Sequence, residues 1–292
     1  MLMGLMAQSG SANLTTYPTA SVSATSARVS FRTDAAAKVV LKYSIASNLS
    51  GAATTSTVTV QSSTDFTGKF DVGGLNNSTT YYYTLIINGV DQLSAPYPKF
   101  KTFAANGTAG VVKFAFGSCT GQAGNDTIFS QVPSDAAFVL HMGDTAYQAT
   151  NTTLAQFRTL QQQHLVGASG WCSNFKTLRG SIPVFQMADD NDYGNGGVQE
   201  TPEVKAIAYQ AWQEYSGRSN PDSPTDGALY YPFQVGDVGF FVLDERSYAS
   251  AVTATDDYTK TILGATQLAA LADRHRGGGA ERHHGWSGAA GS

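Results

Sequence analysis

Charge is scarce in this chain: Asp, Glu, Lys and Arg make up 14% of its 292 residues, against roughly a quarter in an ordinary soluble domain. Its polar surface must come largely from Thr, Ser, Asn, Gln and Gly, a composition more at home outside the cell than in the cytosol. A net charge of −4 carries no signature of nucleic-acid binding, where a basic patch supplies the affinity. No apolar run approaches the ~18 residues that a membrane-spanning helix needs. Two cysteines, Cys119 and Cys172, are too few for a disulfide framework. They can make one bridge, or either can be a buried thiol or a ligand. Residues 1–12 lack a basic n-region and are too short for a complete signal peptide. What is plentiful is apolar. Hydrophobic residues at 42% fill a core and exclude a disordered chain, and 292 residues suit one large or two modest domains.

The charge is unevenly divided. Residues 1–104 hold seven Lys/Arg and four Asp, whereas residues 105–292 hold eleven Lys/Arg and eighteen Asp/Glu. The basic half reads as β-structure over residues 13–103. Residues 27–33 (ARVSFRT), 37–44 (AKVVLKYS) and 56–61 (STVTVQ) alternate, and residues 81–87 (YYYTLII) run into Asn88-Gly89, a strong hairpin signal. Six or seven short strands with no helical period predict an all-β sandwich of the immunoglobulin or fibronectin type III kind. Gly74-Leu75, Thr79 and Tyr81 resemble the fibronectin type III corner in which a Tyr hydroxyl ties its strand to an upstream backbone group. Residues 104–110 (AANGTAG) read as a small, flexible linker.

From Val111 the period changes. Residues 111–116, 136–141, 182–187 and 238–243 are short apolar runs, and helical patterns lie between and after them at 153–166, 202–215 and 264–274. Thr201 is placed to cap the second helix and Pro202 to begin it. Strands alternating with helices predict an α/β sheet buried on both faces. Three runs end in ligand-capable residues: Cys119, Asp144, and the cluster Asp189, Asp190 and Asp192. Such strand ends gather along one edge of an α/β sheet, where sites are built. An Asp after a strand also caps the turn that follows, but three strands with ligands at one end favour a metal centre. Tyr147, three residues past Asp144, can reach the same ion. Phenolate and thiolate donors call for a strongly Lewis-acidic cation, ferric iron rather than magnesium. Asp144 can bridge it to a second cation held by Asp190, and two cations about 4 Å apart clamp a phosphate and present a hydroxide in line.

Together, residues 114–119 (FAFGSC), 138–147 (FVLHMGDTAY), 189–194 (DDNDYG), 208–215 (AYQAWQEY), 236–248 (GDVGFFVLDERSY) and 262–268 (ILGATQL) resemble the PhoD-type alkaline phosphatases of the metallophosphoesterase superfamily. The resemblance covers most of residues 13–271 and includes the leading sandwich. It implies an α/β metallophosphoesterase domain (an αββα sandwich) over residues 104–273, here incomplete. It also implies an extracellular or periplasmic hydrolase of phosphomonoesters or phosphodiesters, with ferric iron (Fe3+) and calcium (Ca2+) as cofactors. Carried over by motif, Cys119, Asp144 and Tyr147 are iron ligands and Asp190 a ligand of the neighbouring metal. Asn195 stands where the family often has a further Asn ligand. Arg246 either neutralises a phosphate oxygen or pairs with a carboxylate.

Three features depart from the family. Asn191 replaces the His of a W-D-D-H motif, and it can hydrogen-bond a phosphate but cannot act as a general acid. Thr145 and Ala146 are smaller than usual and are expected to alter the pocket wall. The G-D-x-H motif that completes the metal site is not found. Residues 273–292, with three of the five His, are expected to break the last helix and to form an anomalous, disordered tail, consistent with a truncated or frame-shifted end. His283-His284 has the wrong spacing for a pre-formed metal site. His141 is expected to be a satisfied core histidine and His164 to lie on a helix surface. Two other readings compete with the phosphatase: a non-catalytic secreted binding protein, and an enzyme similar to purple acid phosphatases, which have an acidic first motif where Cys119 stands.

Overall fold

The computed structural model describes residues 12–16, 18–120, 126–145, 147, 151–166, 172–193, 201–225 and 227–276. Among them, the first hundred residues form nine strands: β1 (Thr19–Val22), β2 (Ala27–Arg32), β3 (Ala37–Ser44), β4 (Ala53–Thr54), β5 (Val58–Val60), β6 (Thr67–Val72), β7 (Thr80–Ile87), β8 (Val90–Asp91) and β9 (Lys99–Lys101). One sheet has the order β1-β2-β6 and is antiparallel throughout. The other runs β4-β3-β7-β8, with β5 added to β3 and β9 to β7. Val29, Phe31 and Phe70 from the first sheet share one core with Val39, Leu41, Tyr83 and Leu85 from the second. At the expected corner, the Tyr81 hydroxyl accepts the Asn76 N–H at 2.9 Å.

Alternation in β2 buries Ala27, Val29 and Phe31 in that core, yet Arg28 and Ser30 on the opposite face are also buried. The second half of the chain covers that polar face. Arg28 donates to the Asn220 carbonyl, Ser21 to the Ser219 carbonyl, and Arg179 to the Thr19 hydroxyl. Phe103 continues the contact, stacking near Phe185 and Phe233 and meeting Phe138 edge-on. The expected linker is exposed from Asn106 onward, but it is anchored by the Gly107 N–H on the Gly236 carbonyl at 2.9 Å.

The second half contains β10 (Phe114–Gly117), β11 (Phe138–Met142), β12 (Val184–Met187), β13 (Tyr231–Val235) and β14 (Val238–Val242). Its helices are α1 (Leu154–Val166), α2 (Ser173–Arg179), α3 (Pro202–Glu214) and α4 (Gly264–Arg276). β10, β11 and β12 are parallel neighbours in that order. The fourth apolar run does not join them. As β14 it pairs antiparallel with β13, a strand the sequence pattern did not show. Nor is the parallel sheet buried throughout: β10 is exposed at Phe114 and Phe116. Thr201 caps α3 as expected, its hydroxyl accepting the Val204 N–H. α4 runs past Asp273 to Arg276, and the expected tail beyond it, residues 277–292, lies outside the described residues.

Candidate active site

The parallel register sets Gly117 beside His141 and His141 beside Gln186, so the three chains leave the sheet side by side. The Cys119 N–H then bonds the Gly143 carbonyl at 3.2 Å, and the Thr120 N–H bonds the Asp144 carbonyl at 3.1 Å. Cys119, Gly143 and Asp144 have φ of +62°, +88° and +54°. Left-handed backbone costs a non-glycine residue roughly 1–2 kcal/mol and collects at functional sites. At Gly143 a Cβ would also collide with Asp189, so the second strand end approaches the third closely because this residue has no side chain.

These turns bring the donors together. Cys119 Sγ lies 3.6 Å from Asp144 Oδ2. The Tyr147 phenol lies beside Cys119 and Asp144, and burial first, then these neighbours, raise its pKa. Asp144, Asp189 and Asp190 each offer an oxygen within 4.8 Å of the others. Burial and the Asp144 charge raise the pKa of Asp190, while Arg246 opposes them. A thiol, a phenol and three carboxylates beside one guanidinium form an anionic pocket whose mixed soft and hard donors fit a strongly Lewis-acidic transition-metal cation, with carboxylate oxygens left for a second.

Asp192 was not assigned a role from the sequence. It is 2% exposed, and its carboxylate accepts three backbone N–H groups: Asp144 at 2.7 Å, Thr145 at 3.1 Å and Asp189 at 3.1 Å. Burial pushes its pKa up to about 7, against these N–H donors, which favour the ionised form. Its only sequence signal was membership of an Asp-rich run.

The remaining expectations divide. Asn191 directs its backbone N–H and its amide to the two oxygens of Asp144, at 3.2 and 3.1 Å. Arg246 pairs with a carboxylate, the second of its two alternatives: Nε donates to Asp189 at 2.6 Å and Nη2 lies 3.7 Å from Asp190. Asp244, buried, accepts the Arg246 and Ser247 N–H groups and so shapes the loop that presents Arg246. Asn195 and Ala146 lie outside the described residues. Thr145 forms no open wall. It is wholly buried, with Oγ1 3.4 Å from His141 Nδ1. His141 is the expected core histidine, bonded by Thr120 and lowered to a pKa of about 4 by burial. His164, expected at a surface, is 1% exposed, with Nδ1 3.7 Å from Cys172 Sγ. Among the described residues the cysteines are both free.

Comparison with known proteins finds the same sheet-rich scaffold among phosphatases. The structure is similar to that of PhoD, with a TM-score of 0.73 at 22% identity over 89% of this chain and 60% of that one. It is also similar to a purple acid phosphatase isolated from yellow lupin (Lupinus luteus) seeds, with a TM-score of 0.57 at 14% identity over 83% of this chain and 46% of that one. No curated protein sequence matches. The PhoD-like phosphatase family model matches residues 114–287, past the last motif recognised at 262–268. The chain therefore belongs to the PhoD-like phosphatase family. It spans about 60% of the length of the PhoD structure it matches.

Proposed function

We propose that this chain carries the phosphoester-hydrolysing centre of a PhoD-like phosphatase, acting outside the cytoplasm on phosphomonoesters or phosphodiesters. Cys119, Asp144 and Tyr147 hold ferric iron, and Asp190, with Asp189 beside it, holds a second cation such as calcium. The observation that carries this reading is the mutual contact of the Cys119 thiol, the Tyr147 phenol and the Asp144 carboxylate at the tips of two parallel strands. A binding surface has no use for that trio.

Cations bound there supply Lewis acidity, activate water and neutralise phosphoryl charge. The chain's own residues set the geometry. Asn191 fixes both oxygens of Asp144, and Asp192 ties the backbones of Asp144 and Asp189 together. Arg246, whose side chain is 40% exposed, holds Asp189 and Asp190 and offers a cation to an incoming phosphate. Proton donation to the leaving oxygen does not come from Asn191, which has no titratable proton.

The same proposal assigns residues 13–103 to an immunoglobulin- or fibronectin III-like sandwich and residues 104–273 to a partial metallophosphatase unit. The Tyr81 corner and the two antiparallel sheets support the first. The test is iron loading of the purified protein, followed by visible absorption and hydrolysis of an aryl phosphate. A charge-transfer band that Cys119→Ser and Tyr147→Phe each alter is expected. A colourless, iron-free protein after loading would replace the enzyme with the secreted binding protein.

A further inference from the structure

Away from the acidic centre, a cleft of about 380 Å³ opens between the first sheet and α3. Arg28 and Lys69 enter it from β2 and β6, Trp212 from α3, and Arg218 and Asp222 from the segment that follows. Three cations meet there. Arg28 is satisfied by bonds to both Asp71 and Asp222 and to the Asn220 carbonyl. Lys69 Nζ makes only long ion pairs, 3.6 Å to Asp222 and 3.9 Å to Asp71, beyond good hydrogen-bond length. Arg218 spends Nε on the Glu214 carbonyl, and among the described residues its two Nη groups have no carboxylate within ion-pair distance. Glu214 also lines the cleft, but its carboxylate is held by two 2.7 Å bonds from Arg158. Three positive charges thus share two carboxylates, Asp71 and Asp222, both already bonded to Arg28, which leaves an excess of donors at Lys69 and Arg218.

We infer that this cleft binds a small oxyanion (a phosphate, sulfate or carboxylate group) between Lys69 and Arg218, at a site separate from the acidic centre. Electrostatics supports the geometry. Burial and the neighbouring Arg28 lower the pKa of both Lys69 and Arg218, so each cation stands to gain from an arriving anion. Donors in a partly desolvated cleft bind an anion through charge-assisted bonds that bulk water would weaken. The cleft also has a built-in reporter. Trp212 is 1% exposed, its indole N–H has no partner among the described residues, and it packs on Ala188, the residue before Asp189.

The test follows the indole N–H signals of the full chain, which has three tryptophans, during titration with sodium sulfate. Sodium chloride at matched ionic strength is the control, and Trp212→Phe assigns the signal. A saturable shift of the Trp212 signal is expected. Lys69→Gln and Arg218→Gln should each weaken sulfate binding about tenfold, and Cys119→Ser should leave it unchanged. Lys69, 35% exposed, keeps the test open should Arg218→Gln fail to fold. Titration with phosphate and with acetate distinguishes a tetrahedral oxyanion from a carboxylate as the preferred group. A linear response equalled by chloride, or Lys69→Gln binding like the parent, would overturn the inference.

Discussion

Three backbone N–H groups from two loops converge on the carboxylate of Asp192, and none of its oxygen capacity is needed elsewhere to explain its burial. An amide in its place presents one acceptor and an N–H₂ that opposes a donor. Asp192→Asn should therefore lower metal affinity by about 10–100-fold, as loss of a supporting residue commonly does, measured by equilibrium dialysis while far-UV circular dichroism stays native. A second prediction at this scale concerns His164. Burial lowers its pKa to about 4 from 6.5, so between those values the unfolded chain takes up a proton that the folded chain refuses. Stability then falls as pH drops from about 6.5 to about 4, by roughly 3 kcal/mol for this group. His164→Gln should make that part of the denaturant-midpoint profile shallower, with His141, lowered to about 4 by burial as well, keeping the remaining slope. The sequence concealed His164 because α1 buries polar side chains among its apolar ones: Gln161, beside the buried Phe157, Leu160 and Leu165, is also buried and accepts the Ser216 hydroxyl. Cys119, Asp144, Tyr147 and Asp190 stood out in the sequence because donor chemistry shows in residue type, and the structure gathers them at the strand tips. Asp192 was not, since an acceptor of backbone N–H groups looks like any other Asp.

Elements were legible where period and punctuation agreed. α3 announced itself through Thr201, Pro202 and an apolar stripe, and Thr201→Ala should cost about 1 kcal/mol in chemical denaturation. β13 stayed hidden because Pro232 sits inside it, and proline argues against a strand unless one edge is free. Its partner β14 was seen but placed in the wrong sheet, since periodicity reveals a strand and not its neighbour. α2, only seven residues long, is too short to show a period. The turn after β11 is more demanding. Gly143→Ala combines a left-handed φ with a collision on Asp189. The left-handed φ alone should cost about 1–2 kcal/mol, and the variant should lose metal uptake before it unfolds, read by metal content of the soluble fraction.

Across the whole molecule the two halves are joined by more than a linker. The polar face of β2 looks in sequence like a solvent face, but Arg28 reaches Asn220 and Asp222 across the junction. Phe103 is 3% exposed, within stacking distance of Phe185 and Phe233 and edge-on to Phe138. Unfolding should accordingly be one transition, with coincident midpoints from β-sheet dichroism and tryptophan fluorescence. Phe103→Ala should shift that single transition by about 3–5 kcal/mol. Two separate transitions in the parent protein would show that the halves fold independently.

The strand tips are tied to one another by main-chain bonds and by one buried carboxylate, so the cost of ordering them is met when the chain folds. Ion uptake then demands little rearrangement. On the proposed function, its speed should be governed by how fast the incoming cation sheds its hydration shell rather than by movement of these tied backbones.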